Sequence, residues 1–111
     1  SQIQHYRLGN QFKAHHDYFN ADDPGEYDEF IGNQGQRTWT FMIYLNDVEG
    51  GGATEFVKIG KEVRPKQGRA VIWHNLHSDG TPNVMTMHRG TPVTAGEKYI
   101  ITKWFRENKV R

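Results

Sequence analysis

Cysteine is absent from this 111-residue chain, which removes disulfide frameworks, thiolate nucleophiles, iron-sulfur clusters and every zinc site built on thiolate. Any metal must then be held by histidine and carboxylate. Charge of one sign is also lacking: fourteen Lys and Arg stand against thirteen Asp and Glu, a net +1 with His neutral. Bulk charge therefore gives no hold on nucleic acid or an anionic membrane, and neither is expected as a partner. Long apolar runs are missing. The longest, Phe41 to Leu45, falls far short of the roughly 20 apolar residues that span a bilayer as a helix. Ser1 to His5 offer neither a basic n-region nor an apolar h-region, so no signal peptide is expected, and with zero cysteine the expected location is cytoplasmic. Helical patterning is scarce as well, since no window of about 12 residues carries an apolar stripe at helical spacing.

What is present favours strands. Twelve Gly, six Phe, five Tyr and three Trp suit strands joined by tight turns better than a helical bundle, and the length predicts one domain with one core. Thr38 to Leu45 is the clearest strand, with Trp39, Phe41, Ile43 and Leu45 alternating with Thr38, Thr40, Met42 and Tyr44, so that one face reads as core. Arg69 to Asn75 and Lys98 to Arg106 are two more, with shorter candidates at Ile3 to Leu8, Phe12 to Phe19, Thr54 to Val57 and Val84 to His88. Turn signals separate them, the Gly50 to Gly52 run among them, which reads as a hairpin turn because no Gly-Lys-Ser/Thr ending or helix follows it. About seven short strands predict an all-β sandwich or barrel with little helix. The one long loop, Asn20 to Gln36, holds Asp22, Asp23, Glu26, Asp28 and Glu29, with a turn of helix conceivable at Asp28 to Ile31. It reads equally well as a mobile lid and as a solvated acidic connection.

The chemistry-bearing residues begin with His15-His16-Asp17. On a strand, residues i and i+2 share a face, so His15 and Asp17 can point one way and His16 the other. His88 follows on a second candidate strand. Two imidazoles and a carboxylate on neighbouring strands make the facial triad of a non-heme Fe(II) oxygenase, which leaves positions open for substrate chemistry. Alone, the pattern is weak, because six His and thirteen acids produce it readily by chance. Lys98 strengthens it: ten residues after His88 and beyond the Pro92 to Gly96 turn, it could face the same cavity from an adjacent strand and hold the far end of a metal-bound dicarboxylate such as 2-oxoglutarate.

These residues sit in a series of blocks, and at this point the chain resembles the catalytic core of the prolyl 4-hydroxylase family of Fe(II)- and 2-oxoglutarate-dependent dioxygenases. The blocks are Tyr6-x-x-Gly9, His15-x-Asp17-Tyr18-Phe19, Tyr44-Leu45-Asn46-Asp47-Val48-Glu49-Gly50-Gly51 with Thr54 and Phe56, and Val63-x-Pro65-x-x-Gly68-x-Ala70-Val71. His88-x-Gly90-x-Pro92-Val93-x-x-Gly96-x-Lys98 and Thr102-Lys103-Trp104 complete them, in family order over nearly the whole chain. The resemblance implies a double-stranded β-helix, or jelly roll, acting as a single catalytic core over residues 1–111. It implies His15, Asp17 and His88 as iron ligands and Lys98 as partner of the distal carboxylate of 2-oxoglutarate. Tyr6 would reach the co-substrate, Tyr44 and Thr54 would line the cavity, and Arg37 and Trp104 would lie near a proline-containing peptide or protein substrate. Fe(II), 2-oxoglutarate, O2 and ascorbate are the implied cofactors; the reaction releases succinate and CO2 and hydroxylates an unactivated C–H bond. Two departures stand out. Arg106 occupies a position where the family often has His, which bears on the substrate, and only five residues precede Tyr6, where the family usually has further helices and strands; this fits either a core fragment or a minimal version.

Each residue also has a plainer reading. A strand His is more often packed than ligating, Tyr6, Tyr44 and Trp104 would be core aromatics by default, and an exposed strand-end Lys is common. Lys98, Ile100, Thr102, Trp104 and Arg106 share one side of their strand and Tyr99, Ile101, Lys103 and Phe105 the other, so periodicity alone does not turn Lys98 inward. His16 reads as structural, His74 and His77 as cavity wall or surface, and His5 as surface. Hydroxylation of free proline or another amino acid, nucleic-acid demethylation, and a jelly roll that binds metal or ligand without turnover are the competing functions; the near-neutral charge disfavours the second.

Overall fold

The computed structural model describes residues 1–19 and 35–107. Most of the acidic segment expected as a lid, and the helical turn expected at Asp28 to Ile31, lie outside the described residues.

Among the described residues ten strands form, in chain order β1 (Gln2–Tyr6), β2 (Phe12–His15), β3 (Arg37–Tyr44), β4 (Gly50–Gly51), β5 (Thr54–Phe56), β6 (Lys61–Val63), β7 (Ala70–His74), β8 (His88–Gly90), β9 (Val93–Ala95) and β10 (Lys98–Arg106). Two four-stranded antiparallel sheets, ordered β1-β10-β3-β7 and β2-β8-β5-β6, carry the jelly roll, and β4 pairs with β9 as a short third ladder. Their inner faces meet in a core of Tyr6, Met42, Tyr44, Phe56, Trp73, Val93 and Ile100. Burying an apolar side chain of the size of Met42, Phe56 or Ile100 contributes about 1.5–3 kcal/mol.

Four local expectations are corrected. β2 stops at His15 rather than Phe19. Val84–Thr86 is a 3-10 turn, its start fixed by the Asn83 side chain accepting the Met85 N–H at 3.3 Å, so β8 begins only at His88. Gly50–Gly51 is a strand and not a hairpin turn, and the expected turn at Pro92 to Gly96 contains β9. The glycines there answer a packing demand: at Gly51, with φ +68°, a Cβ would run into the Pro92 carbonyl oxygen.

β3 and β10 bury the less obvious of their two faces. Thr40, Met42 and Tyr44 point into the core, while Trp39 is 43% exposed. On β10 the inward set is Lys98, Ile100 and Thr102, with Phe105 turned outward. The register pairs Ile101 with Ile43 and Phe105 with Trp39 on the outer side, and Ile100 with Tyr44 and Thr102 with Met42 on the inner. Between the two sheets lies an open cavity of about 260 Å³, slightly below the usual range of ligand sites.

Candidate functional site

The cavity is built first by a cross-strand pair. β2 and β8 place His15 directly opposite His88, with ring centroids 4.3 Å apart. Each ring is held by its Nδ1: His15 bonds the Lys13 carbonyl at 2.7 Å and His88 the Thr86 carbonyl at 2.8 Å. A carbonyl can only accept, so both Nδ1 atoms carry hydrogen, and in the neutral rings the lone pair sits on Nε2. Phe12 packs on His15 and Trp73 on His88, at 4.1 and 4.7 Å between centroids, which leaves the rings little freedom to turn.

Asp17 completes the cluster from outside the ladder. It lies in a bend just past the end of β2, so the i, i+2 argument for a shared strand face does not apply; Asp17 is drawn toward the other sheet instead. Thr40 on β3 donates its hydroxyl to Asp17 Oδ2 at 2.7 Å, and Trp104 Nε1 on β10 donates to the same oxygen at 3.3 Å. The other oxygen, Oδ1, lies 3.4 Å from His15 Nε2 and 3.5 Å from His88 Nε2. Burial alone would raise the Asp17 carboxyl, but the neighbouring His15 and His88 side chains and the Thr40 hydroxyl outweigh it and hold the group at about 2, ionised near neutral pH. Burial pushes His88 below the usual imidazole range. A neutral imidazole lone pair aimed at a carboxylate oxygen is repulsive unless something positive sits between them. The three ligand atoms all lie within 4.8 Å of one another, and this donor set of two nitrogens and one hard oxygen fits a divalent first-row metal.

Lys98 enters the same cavity from the opposite sheet. Its strand neighbours are β1 and β3, not β8, so the expectation of adjacent strands is corrected while the shared cavity stands. The side chain is 2% exposed. Nζ donates to the Gly52 carbonyl at 3.1 Å and lies 4.2 Å from the centroid of the Tyr6 ring, its cross-strand partner. Gly52 and Gly90 make room for it: a Cβ there would stand 3.1 Å from Lys98 Cδ and 3.4 Å from Nζ. Among the described residues no carboxylate pairs with this ammonium, and burial lowers it to about 8. A buried cation with donors to spare and no acid beside it is complementary to an anionic ligand.

The remaining candidates fall into two groups. Tyr6 and Thr54 line the cavity, whereas Tyr44 is fully buried behind it. Tyr44 donates to the Val63 carbonyl at 3.1 Å, which leaves Thr54 to donate to Tyr44 at 2.6 Å; Tyr44 braces the wall without lining it. At the mouth, the Arg37 guanidinium stacks 4.0 Å over Trp104 and 4.8 Å over Phe19, and Arg106 reaches Phe19 from 4.9 Å. Gln36 clasps the Phe19 backbone with both ends of its amide, accepting from the Phe19 N–H at 2.6 Å and donating to its carbonyl at 2.9 Å. His16 does not point away as expected: it lines the cavity and approaches the Val84 carbonyl at 3.4 Å. His74 stacks on Trp39 on the outer face of its sheet, and His5 stacks on Tyr99. Sequence reasoning missed Thr40, Thr102, Trp73 and Asn75. Strict alternation back from Tyr44 along β3 and forward from Lys98 along β10 would have found the first two.

Comparisons with known proteins converge on one family. A family model described as the 2OG-Fe(II) oxygenase superfamily matches residues 1–106. Prolyl 4-hydroxylase subunit alpha-1 of Homo sapiens is 38% identical over 106 residues, which are 96% of this chain and 20% of that protein. Subunit alpha-3 of Homo sapiens is 37% identical over the same length, covering 19% of it. Among solved structures, the viral collagen prolyl hydroxylase of Paramecium Bursaria Chlorella virus-1, in its 2OG complex, matches with TM-score 0.82 at 30% identity, over 96% of this chain and 57% of that one. A Pseudomonas putida prolyl-4-hydroxylase matches with TM-score 0.64 at 25% identity, over 96% and 51%. The chain spans about a fifth of the length of these curated relatives. The match over residues 1–106 shows that this chain belongs to the 2OG-Fe(II) oxygenase superfamily.

Proposed function

We propose that this chain is the catalytic core of an Fe(II)- and 2-oxoglutarate-dependent hydroxylase acting on a prolyl residue in a peptide or protein. The observation that carries the reading is the meeting, in one small cavity, of the His15, Asp17 and His88 ligand atoms with a buried ammonium that has no acid partner among the described residues. The names of the relatives, prolyl 4-hydroxylase and collagen prolyl hydroxylase, support proline as the target.

In this reading His15 Nε2, Asp17 Oδ1 and His88 Nε2 hold the metal, and Lys98 holds the distal carboxylate of 2-oxoglutarate. Bound iron, with 2-oxoglutarate and O2, would supply the oxidation, in which the oxo acid loses CO2 and gains one oxygen atom of O2 to become succinate while the other oxygen atom goes into a C–H bond. The protein's own part is placement. The Nδ1 bonds to Lys13 and Thr86 keep both imidazoles presenting Nε2. Lys98, desolvated between Tyr6 and the Gly52 carbonyl, fixes one end of the co-substrate so that its oxo-acid end faces the ligand cluster. Tyr6, whose hydroxyl donates to Gln4 at 3.2 Å, and Thr54 shape the space between. Trp104 and Arg37 offer a stacked aromatic and guanidinium ledge at the mouth, suited to an extended proline-containing segment, which is pre-ordered in polyproline II form. Ascorbate would act only as a reductant that restores Fe(II).

Turnover tests the proposal. Incubation with a pool of proline-containing peptides, Fe(II), ascorbate and 2-oxoglutarate is expected to yield succinate and peptides heavier by about 16 Da, one oxygen atom, on proline. Oxygen found only on other residues, or succinate formed only with free amino acids, would contradict the peptidyl-proline assignment. Metal binding with no succinate under any substrate would favour a non-catalytic jelly roll.

A further inference from the structure

Asp17 has two oxygens, and the fold treats them differently. Oδ2 is occupied twice, by the Thr40 hydroxyl at 2.7 Å and by Trp104 Nε1 at 3.3 Å, while Oδ1 alone faces the two imidazoles. Behind Thr40 stands Asn75, fully buried at the end of β7, whose Nδ2 reaches Thr40 Oγ1 at 2.9 Å. The direction of this chain follows from donor and acceptor chemistry. An ionised carboxylate can only accept, so Thr40 must give its one hydroxyl proton to Asp17, and Thr40 Oγ1 must then accept from Asn75. That requires the amide NH2, not the amide oxygen, to face Thr40. Asn75 Oδ1 is left with no hydrogen-bond partner among the described residues. A buried carbonyl without a partner is costly, and the arrangement makes sense if the other end of the amide has a task that only a donor can perform.

We infer that Thr40, oriented by Asn75, is a positioning residue that makes Asp17 a one-oxygen metal ligand by engaging Oδ2 and presenting Oδ1. The inference rests on the metal reading above and deepens it. A carboxylate held by one oxygen leaves more of the metal's positions for co-substrate and O2 than one bound through both. Asn75 sets the polarity of the relay: an acceptor in its place competes for the Thr40 proton and releases Oδ2.

Binding of Mn(II) alone, followed by calorimetry without turnover, tests the relay. Thr40→Val keeps the shape and removes the hydroxyl, and is expected to weaken Mn(II) about 10- to 100-fold, the usual effect of losing a partner behind a ligand. Thr40→Ser restores the hydroxyl and is expected to restore most of the affinity. Asn75→Asp, nearly isosteric but an acceptor, is expected to weaken Mn(II) although Thr40 is intact. Wild-type crystals soaked in Mn(II) need no variant to fold, and are expected to show Asp17 bound through Oδ1 only. Equal Mn(II) affinity in wild type and Thr40→Val, or a metal bound through Oδ2 or both oxygens, overturns the positioning role and leaves the metal site standing. A wild-type protein that binds no divalent metal overturns both.

Discussion

Lys98 is the residue whose chemistry is most exposed to test, because its charge is buried and its donors are not all used. Lys98→Ala removes the proposed charge-assisted partner of the co-substrate carboxylate but touches none of the three candidate metal ligands. Such a hydrogen bond is worth about 1.5–3 kcal/mol, so 2-oxoglutarate affinity is expected to drop roughly tenfold to over a hundredfold, with Mn(II) affinity unchanged in the same titrations. Equal co-substrate affinity in both proteins would show that Lys98 does not contact the ligand. The pH dependence has a definite sign. With the folded value at about 8 and the ordinary value 10.5, the unfolded chain holds a proton between them that the folded, ligand-free chain lacks. Stability attributable to Lys98 therefore rises with pH across that window. Affinity for 2-oxoglutarate moves oppositely, falling as pH climbs past about 8, and Lys98→Met is expected to abolish both slopes.

At the scale of strands and turns, the glycines of β4 are as informative as the ligands. Gly51→Ala is expected to destabilise by more than about 1 kcal/mol, because a Cβ there meets the Pro92 backbone and φ is +68°. Gly60→Ala, at φ +67° but with nothing within 4 Å of the added carbon, is the control that isolates crowding from backbone strain; denaturant melts of the two should separate, and equal losses would mean that the β4–β9 contact contributes little. Alternation located β3, β7 and β10 in the sequence, yet it could not choose their inner faces. The reason lies in the cavity: the side of these strands that lines it carries Arg37, Thr40, Lys98 and Thr102, while Trp39, Ile72 and Phe105 face outward. Hydropathy is a poor guide where the inner face is a reactive site. The short ladders escaped for another reason, since two or three residues of Gly50–Gly51 or Val93–Ala95 hold no period to read.

Across the whole molecule, the candidate set of His15, Asp17, His88 and Lys98 is picked out from its sequence blocks, while the way the fold brings these residues together is not legible there. His15 and His88 come from one sheet, Lys98 and the Thr40 support of Asp17 from the other, and only the closed jelly roll brings them to one cavity. Opening the two sheets would dismantle the proposed metal and co-substrate sites together, so 2-oxoglutarate is expected to raise the melting temperature of the Mn(II)-loaded protein beyond the rise from Mn(II) alone. The most direct test of the account is a crystal structure with Mn(II) and 2-oxoglutarate, where anomalous scattering locates the metal. The expected result is one ion bonded to His15 Nε2, Asp17 and His88 Nε2, with the far carboxylate of 2-oxoglutarate on Lys98 Nζ. Metal on His74 and His77, or 2-oxoglutarate bound away from Lys98, would contradict it.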